Sequence, residues 1–351
     1  MNEKFQANKA LNEREIKEKK TKLDSCPQRL IVTLSSRCNL DCIMCEVRRT
    51  KWDIPYKVIQ EVVDFFPYLE SIIWQGGEPF LLEYFGEIFD EASKFEQLKQ
   101  MIVTNGLLIN EAWVEKLAKN NVELTFSIDG VTREVYEHIR QGAKFERVIR
   151  SLTIIKEARK KYDSRNMTLR LHVVVMKSNY HQLEDFMNFA HEYGFAAVHL
   201  ISMGGSQSEE ENIFSRQENA PLTYLEGIRD KLEEKARRLN IELLNSLPRM
   251  ADNSKQCGSS PCSKEDNSNE PGISCFAPWQ QMNLDPGGGI RPGCLCLKTV
   301  GTVFEGRLKD IWNSEAMQFY RQKMIAGEFS AICNSTCLEV QISEQRRKAR
   351  L

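Results

Sequence analysis

The sequence predicts an α/β fold, a partial (β/α)6 TIM-like barrel followed by a small C-terminal α+β domain. From about residue 30 to residue 203, short β-branched apolar runs alternate with stretches whose apolar residues recur at helical spacing. After residue 245 the alternation gives way to a segment rich in Ser, Asn and Gly. Strands that alternate with helices pair in parallel, and each helix crosses over between neighbouring strands.

Six strand–helix units build the predicted barrel. The predicted strands cover residues 30–34, 71–74, 101–104, 122–128, 169–176 and 196–201. Among the intervening helices, one covers 54–66, one begins near Thr132, and one covers 180–193 and ends at Gly194. Six units are fewer than the eight of a closed barrel, so we expect a barrel that is open on one side.

Four segments describe the expected domain organisation. Residues 1–27 predict a mixed-charge helix, which we expect to be a solvated N-terminal arm. Residues 28–245 form the barrel, 246–272 a polar loop or linker, and 273–351 the second domain. In the second domain we expect a short strand near residues 279–284 and a helix over 308–325.

The composition indicates an ordinary globular protein. The 351 residues are 41% hydrophobic and 28% charged, and the net charge of −1 gives no sign of a nucleic-acid partner. No apolar run reaches the roughly 18 residues that a membrane span needs, and the N-terminal segment lacks the apolar stretch of a secretory signal. We therefore expect a cytoplasmic protein without a membrane partner. Its 11 cysteines would then stay reduced and available for metals.

The stretch SSRCNLDCIMCEVRR directly follows the first predicted strand. It carries Cys38, Cys42 and Cys45 in a C-x3-C-x2-C pattern, at the end of a strand where α/β folds place active sites. Three thiols fit neither paired disulfides nor a closed zinc site with four ligands. They fit a [4Fe–4S] cluster whose fourth iron has no protein ligand and stays open for another molecule. A zinc site with a distant fourth ligand is the alternative.

At this point the sequence resembles the radical S-adenosylmethionine (SAM) enzymes. CNLDCIMC carries the C-x3-C-x2-C spacing of that family, and QGGEP after the second strand is similar to its GGEP motif. TNG at 104–106 and SIDG at 127–130 follow the third and fourth strands in matching order. The resemblance covers about residues 28–205. It implies that Cys38, Cys42 and Cys45 hold a [4Fe–4S] cluster that binds SAM through its open iron.

The resemblance also implies which residues contact SAM. They are Gly76, Gly77, Glu78, Asn105, Ser127, Asp129 and Arg140. The two glycines would let the backbone approach the methionine end of SAM. Glu78 would accept the ammonium group, and Arg140 would pair with the carboxylate. Ser127 and Asp129 would meet the ribose hydroxyls.

Five further cysteines lie in the C-terminal domain. Cys275 and the Gly289-x4-Cys294 element resemble the start of the SPASM extension, which holds auxiliary clusters in many radical SAM enzymes. The chain lacks the dense C-x2-C-x5-C-x3-C run of that extension, so it looks more like the shortened twitch form with one auxiliary [4Fe–4S] cluster. We expect its ligands to be Cys275, Cys294, Cys333 and Cys337, with Cys296 as a spare that could replace Cys294. A four-cysteine zinc site is the alternative.

The implied activity is reductive cleavage of SAM to a 5′-deoxyadenosyl radical that abstracts a substrate hydrogen. An external reductant such as flavodoxin or ferredoxin would supply the electron. Among relatives with such an extension, the outcomes include oxidation, epimerisation and crosslinking of a sugar-like metabolite or a peptide. The segment before the first strand is too short for an independent leader-binding domain, which weakens the peptide hypothesis. A non-catalytic iron–sulfur or zinc protein with an electron-transfer or structural role is the alternative function.

Overall fold

The computed structural model describes residues 2–47, 51–162, 166–204, 208–248, 275–293, 296–328, 331–334 and 337. Two compact units make up the chain. The barrel unit comprises Leu34–Asp53 and Ile73–Asp252, and the terminal unit comprises Met1–Thr33, Ile54–Ile72 and Asn253–Leu351. The domain boundaries expected near residues 27, 245 and 272 stay predictions.

Strands and helices alternate along most of the chain. The strands are β1 (Arg29–Thr33), β2 (Ser71–Gln75), β3 (Lys99–Thr104), β4 (Val122–Ser127), β5 (Met167–Val175), β6 (Ala197–Ser202), β7 (Glu242–Asn245), β8 (Gln281–Leu284), β9 (Gly289–Arg291) and β10 (Gly301–Thr302). The helices are α1 (Glu3–Lys17), α2 (Tyr56–Val63), α3 (Phe85–Ser93), α4 (Glu111–Ala118), α5 (Arg133–Ile139), α6 (Phe145–Lys161), α7 (Leu183–Tyr193), α8 (Asn219–Leu239), α9 (Ala277–Gln280), α10 (Leu308–Ile311) and α11 (Glu315–Ala326). In the described part of the chain, no helix has the length and apolar character to cross a membrane.

The six strands expected from the sequence are all present as β1 to β6, each within about two residues of its predicted bounds. Two predicted helix signals are also confirmed. The Thr132 side chain accepts a hydrogen bond from the backbone N–H of Val135 at the start of α5. Gly194 ends α7 in the left-handed conformation, with a φ of 72°.

Parallel strands form the sheet of the barrel unit, in the order β2-β3-β4-β5-β6-β7. β3 pairs with β4, β4 with β5 and β5 with β6, all in parallel. β7, which was not predicted from the sequence, extends the sheet beside β6 with Glu242 opposite Ala197. Because the strands run the same way, their carboxyl ends bring residues 76–78, 104–106 and 127–130 to one edge of the sheet.

The terminal unit has its own strand order, β10-β9-β8-β1. β8 lies parallel to β1, with Met282 opposite Leu30, and antiparallel to β9. The single helix expected over residues 308–325 is two helices, α10 and α11. The reason is local: the Ser314 side chain accepts a hydrogen bond from the backbone N–H of Met317 and so begins a new helix.

The N-terminal helix α1 is part of the terminal unit, and the expectation of a solvated arm is wrong. Four of its residues, Phe5, Asn8, Asn12 and Glu15, are buried. Asn12 Nδ2 donates to the Trp279 carbonyl at 2.7 Å, and the Trp279 indole Nε1 donates to the Lys20 carbonyl at 2.8 Å. The charge pattern of α1 reflects only its exposed face. The opposite face buries a few polar side chains that hydrogen-bond to the rest of the terminal unit.

Arg321 on α11 connects three segments of the terminal unit that are separate in sequence. Its side chain is fully buried, and it donates to the carbonyls of Thr21, Trp312 and Pro278 at 2.6, 2.8 and 2.9 Å. Its guanidinium also lies 4.7 Å from the centre of the Trp312 ring. The cation therefore exchanges its water shell for carbonyl oxygens and an aromatic face.

Candidate functional site

The three cysteines at the site lie on a loop over residues 34–47, called here the cysteine loop. Its first part is fixed to the turn after β2 by backbone hydrogen bonds. The Gly77 N–H donates to the Ser35 carbonyl at 2.6 Å, and the Glu78 N–H donates to the Arg37 carbonyl at 2.9 Å. The glycine pair therefore positions the loop that carries the thiols.

Both glycines are required by close backbone approach. Gly76 has a φ of 136°, which side-chain-bearing residues rarely adopt. A Cβ at Gly77 would overlap the Arg37 carbonyl oxygen and lie 2.5 Å from its carbon. The contact that these glycines allow is thus with the cysteine loop, and the expected approach to SAM stays a prediction.

The second part of the cysteine loop is fixed to the end of α5. The Asp41 N–H donates to the Gln141 carbonyl at 2.8 Å, and the Ile43 N–H donates to the Ile139 carbonyl at 3.0 Å. These two bonds flank Arg140, so its side chain is placed beside the thiols by main-chain pairing.

Each of two thiols has a nitrogen donor nearby. Asn105 Nδ2 lies 3.8 Å from Cys38 Sγ, and Arg140 Nη1 lies 3.8 Å from Cys42 Sγ. Burial raises the pKa of Cys38, and it raises the pKa of Cys42 to about 11. Both thiols are therefore protonated near neutral pH without metal, and metal binding would release these protons. Within the described residues, no group of three His, Cys, Asp or Glu side chains is arranged to hold a single metal ion.

Glu78 is a buried carboxylate that faces several donors. It accepts from Thr104 Oγ1 and from the Asn105 N–H, each at 2.8 Å, and from the Phe80 N–H at 3.3 Å. Burial nevertheless raises the pKa of Glu78 to about 7. A cation placed beside this carboxylate would restore its charge.

Asp129 and Arg140 form a buried ion pair, with Oδ2 and Nη2 2.6 Å apart. Burial alone would lower the pKa of Arg140, but Asp129 and Cys42 raise it, so the guanidinium stays charged. Asp129 Oδ1 accepts from the Val174 N–H at 2.8 Å. Among the described residues, Arg140 Nε and the Tyr136 hydroxyl have no hydrogen-bond partner, and Asp129 Oδ2 has none besides its ion pair with Arg140.

Ser127 ends β4 and lies in one register row with two histidines. Ser127 is opposite His172 on β5, which is opposite His199 on β6. The two imidazole rings meet edge to face with centres 5.0 Å apart. Burial lowers the pKa of His172 to about 4, so this ring is neutral at physiological pH. His199 and Tyr136 were not predicted as site residues from the sequence. The period-two alternation of polar residues along β5 was the available signal for His172, and a single polar residue in the apolar run AVHLI was the signal for His199.

A second group of cysteines lies in the terminal unit. Cys296 and Cys333 face each other in an antiparallel β-bridge, and the Leu297 N–H donates to the Ile332 carbonyl at 3.0 Å. Burial raises the pKa of both thiols to about 12, and the charges of Cys275 and Cys337 add to the effect. The expected ligand Cys294 lies outside the described residues, as do Cys257 and Cys262. The structure thus brings Cys296, the expected spare, into the group.

Two family models match the chain at these two sets of cysteines. The radical SAM superfamily model matches residues 32–211. The chain belongs to the radical SAM superfamily. The SPASM model, which describes an iron–sulfur cluster-binding domain, matches residues 275–338 of this radical SAM enzyme. Its cofactors are accordingly SAM and [4Fe–4S] clusters, as the sequence predicted.

Curated relatives match about half of the radical SAM chain. GTP 3′,8-cyclase of Clostridium botulinum (strain Okra / Type B1) is 26% identical over 54% of this chain and 61% of its own length. Mycofactocin maturase MftC of Mycobacterium ulcerans is 28% identical over 46% of this chain and 43% of its own. The chain thus spans less than two thirds of the length of these relatives.

A solved structure confirms the fold class of the radical SAM enzyme. SuiB of Streptococcus suis, bound to its precursor peptide SuiA, aligns with a TM-score of 0.61. The alignment covers 89% of this chain and 70% of SuiB at 18% identity, which shows a shared fold.

Proposed function

We propose that this radical SAM enzyme abstracts a hydrogen atom from a peptide substrate and oxidises it, with epimerisation and crosslinking as the related outcomes. The observation that carries the proposal is the cysteine loop, which offers three thiols beside a buried carboxylate and a buried guanidinium. The peptide is favoured because SuiB, whose fold covers most of this chain, is described in complex with its precursor peptide. A sugar-like or nucleotide substrate is the second candidate, because GTP 3′,8-cyclase is among the relatives.

The residues of the cysteine loop fit a cluster with one open iron. Cys38, Cys42 and Cys45 lie within eight residues and would each bind one iron. When bound, the reduced cluster supplies the electron that cleaves SAM and so generates the hydrogen-abstracting radical. Flavodoxin or ferredoxin is the proposed reductant.

Two buried polar atoms beside the cysteine loop suit SAM. Arg140 Nε has no hydrogen-bond partner among the described residues and suits the SAM carboxylate. Asp129 Oδ2 lies 2.6 Å from Arg140 Nη2 and would accept from a ribose hydroxyl beside that ion pair. Ser127, the last residue of β4, would bind the other ribose hydroxyl. Glu78 would hold the ammonium group, while Gly76, Gly77 and Asn105 would shape the wall of the site.

In the terminal unit, Cys275, Cys333 and Cys337 are proposed as ligands of the auxiliary cluster. Either Cys294 or Cys296 completes the set of four thiolates, and the bridge between Cys296 and Cys333 supports Cys296. These four thiolates would hold a cluster with a closed shell, which would supply an electron acceptor for the substrate radical. Net oxidation is therefore the favoured outcome.

The assignment of Glu78 predicts proton release when SAM binds. Because its pKa is about 7 in the free protein and an ammonium partner lowers it, SAM binding near pH 6 should release close to one proton. The release should vanish near pH 9, where Glu78 is already ionised. Calorimetry in buffers of different ionisation enthalpy measures it. Glu78→Gln should bind SAM more weakly and release no proton from this site; an unchanged release in that variant would exclude Glu78.

Anaerobic reconstitution tests the function as a whole. The wild type should hold about eight irons per chain, and the Cys38/Cys42/Cys45→Ala variant about four. With reductant, the wild type should convert SAM to 5′-deoxyadenosine and the variant should not. Equal iron contents, or SAM cleavage by the variant, would reject the proposed cluster site.

The substrate is tested with peptides encoded next to the gene. Mass spectrometry should find a loss of two hydrogen atoms in such a peptide when enzyme, SAM and reductant are present together. Turnover of a nucleotide or sugar with no change in the peptide would instead support the second candidate.

A further inference from the structure

We infer that Arg140 and Asn105 are positioning residues that raise the reduction potential of the cluster held by Cys38, Cys42 and Cys45, each by donating an N–H to one thiolate. The inference rests on the proposed cluster site. It assigns Arg140 a contact with the cluster in addition to the expected contact with SAM.

The three nitrogens of the Arg140 guanidinium have three different surroundings. Nη2 is held by Asp129 at 2.6 Å, and Nη1 points to Cys42 Sγ at 3.8 Å. Nε has no hydrogen-bond partner among the described residues and is left for a ligand. Arg140 is only 6% exposed, so water screens little of its charge.

The amide of Asn105 is oriented just as firmly. Its Oδ1 accepts from the Leu107 N–H at 2.9 Å, so its Nδ2 must face the cysteine loop. There Nδ2 donates to Asn39 Oδ1 at 2.9 Å and lies 3.8 Å from Cys38 Sγ. The backbone N–H of Asn105 donates to Glu78, which ties this donor to the end of β3.

Donors aimed at thiolates favour the more negative state of a cluster. On one-electron reduction by the external reductant, with its ligands retained, the cluster would become more negative by one charge. Hydrogen bonds to the sulfurs stabilise that charge and raise the potential. A buried cation does so more strongly than a neutral amide, so Arg140 should matter more than Asn105.

Redox titration of the reconstituted holoenzyme, followed by electron paramagnetic resonance, tests the inference. The solution potential is set to the value at which half of the SAM-binding cluster is reduced in the wild type. At that potential, the ratio of reduced to oxidised cluster should be about tenfold lower in Arg140→Gln than in the wild type. This change is equivalent to about 59 mV for a one-electron couple. Arg140→Lys should fall between the two, and Asn105→Ser should show a smaller change in the same direction. The auxiliary cluster should keep its potential in every variant and serves as the internal reference.

Arg150→Gln is the matched control, because Arg150 is an exposed arginine paired with Glu111 at 2.9 Å. It should leave both potentials unchanged. Arginine labelled with ¹⁵N gives a second readout: the reduced wild-type cluster should show a ¹⁵N hyperfine coupling that Arg140→Gln lacks.

Unchanged potentials in Arg140→Gln and Asn105→Ser, with full iron content, would overturn the inference and leave the proposed function intact. If Arg140→Gln fails to load iron, the Asn105→Ser potential decides by the same criterion. A wild type that builds no cluster on the cysteine loop would instead reject the proposed function itself.

Discussion

Gly77→Ala is expected to reduce SAM cleavage about 100-fold and to lower the free energy of unfolding of the metal-free protein by about 3 kcal/mol. The added Cβ would overlap the Arg37 carbonyl, which is main chain and cannot rotate away. Overpacking against a rigid neighbour typically costs about 1–3 kcal/mol. Relief requires the cysteine loop to move, and a misplacement of about 1 Å at a reacting centre can cost about 100-fold in rate.

Gly227→Ala is the matched control for this substitution. Gly227 lies inside the helix α8, and a Cβ there would meet no described heavy atom within 4 Å. The same change should therefore raise the free energy of unfolding by about 0.5–1 kcal/mol, because alanine loses less entropy than glycine in a helix. Denaturant unfolding of both proteins without oxygen gives the comparison. Equal stabilities would show that the close approach at Gly77 is not restrictive.

Arg321→Met is expected to destabilise the terminal unit strongly. It removes the donor from the buried carbonyls of Pro278 and Trp312 and from the half-buried carbonyl of Thr21. Several unsatisfied buried acceptors together cost about 3 kcal/mol, although methionine fills much of the volume. Because the lost contacts join residues 21 and 278 to α11, we also expect loss of the auxiliary cluster with retention of the cluster on the cysteine loop. Iron analysis and denaturant unfolding measure both effects.

Two variants delimit the cause of that loss. Arg307→Met removes an arginine of the same unit that is 65% exposed and paired with Asp310, and it should leave unfolding and iron content unchanged. Arg321→Lys keeps the charge but cannot reach all three carbonyls from one ammonium, so it should rescue only part of the stability. Full stability in Arg321→Met would show that the carbonyls find other donors.

The barrel strands could be predicted because their signal is local. Each is a short β-branched run bounded by polar residues, and the spacing of Val58, Ile59 and Val62 likewise marked α2. β7 was not predicted because its sequence, ELLN, is short and has a weak hydrophobic pattern. Its strand conformation depends on pairing with β6. The break between α10 and α11 was readable in principle, since Ser314 followed directly by Glu315 is a typical start of a helix.

At the site, the sequence could identify chemistry but not orientation. The spacing of the three cysteines identified the cluster site. The order of the strand ends was enough to predict that Glu78, Asn105 and Asp129 lie at one edge of the sheet. Which atom of Arg140 faces Cys42, and which faces Asp129, depends on main-chain pairing between segments about 100 residues apart. The same holds for α1, whose polar anchors have partners that no local pattern can indicate.

The burial of α1 against residues near the other end of the chain has a consequence for biosynthesis. The separation between Asn12 and Trp279 is 267 residues. At a translation rate of about 5–20 residues per second, Trp279 is synthesised roughly 10–50 s after α1, and α1 lacks this partner during that time. Strands β3 to β7 are contiguous in sequence and can assemble during that interval. The charged outer face of α1 would keep this helix soluble in the nascent chain until its partner is synthesised.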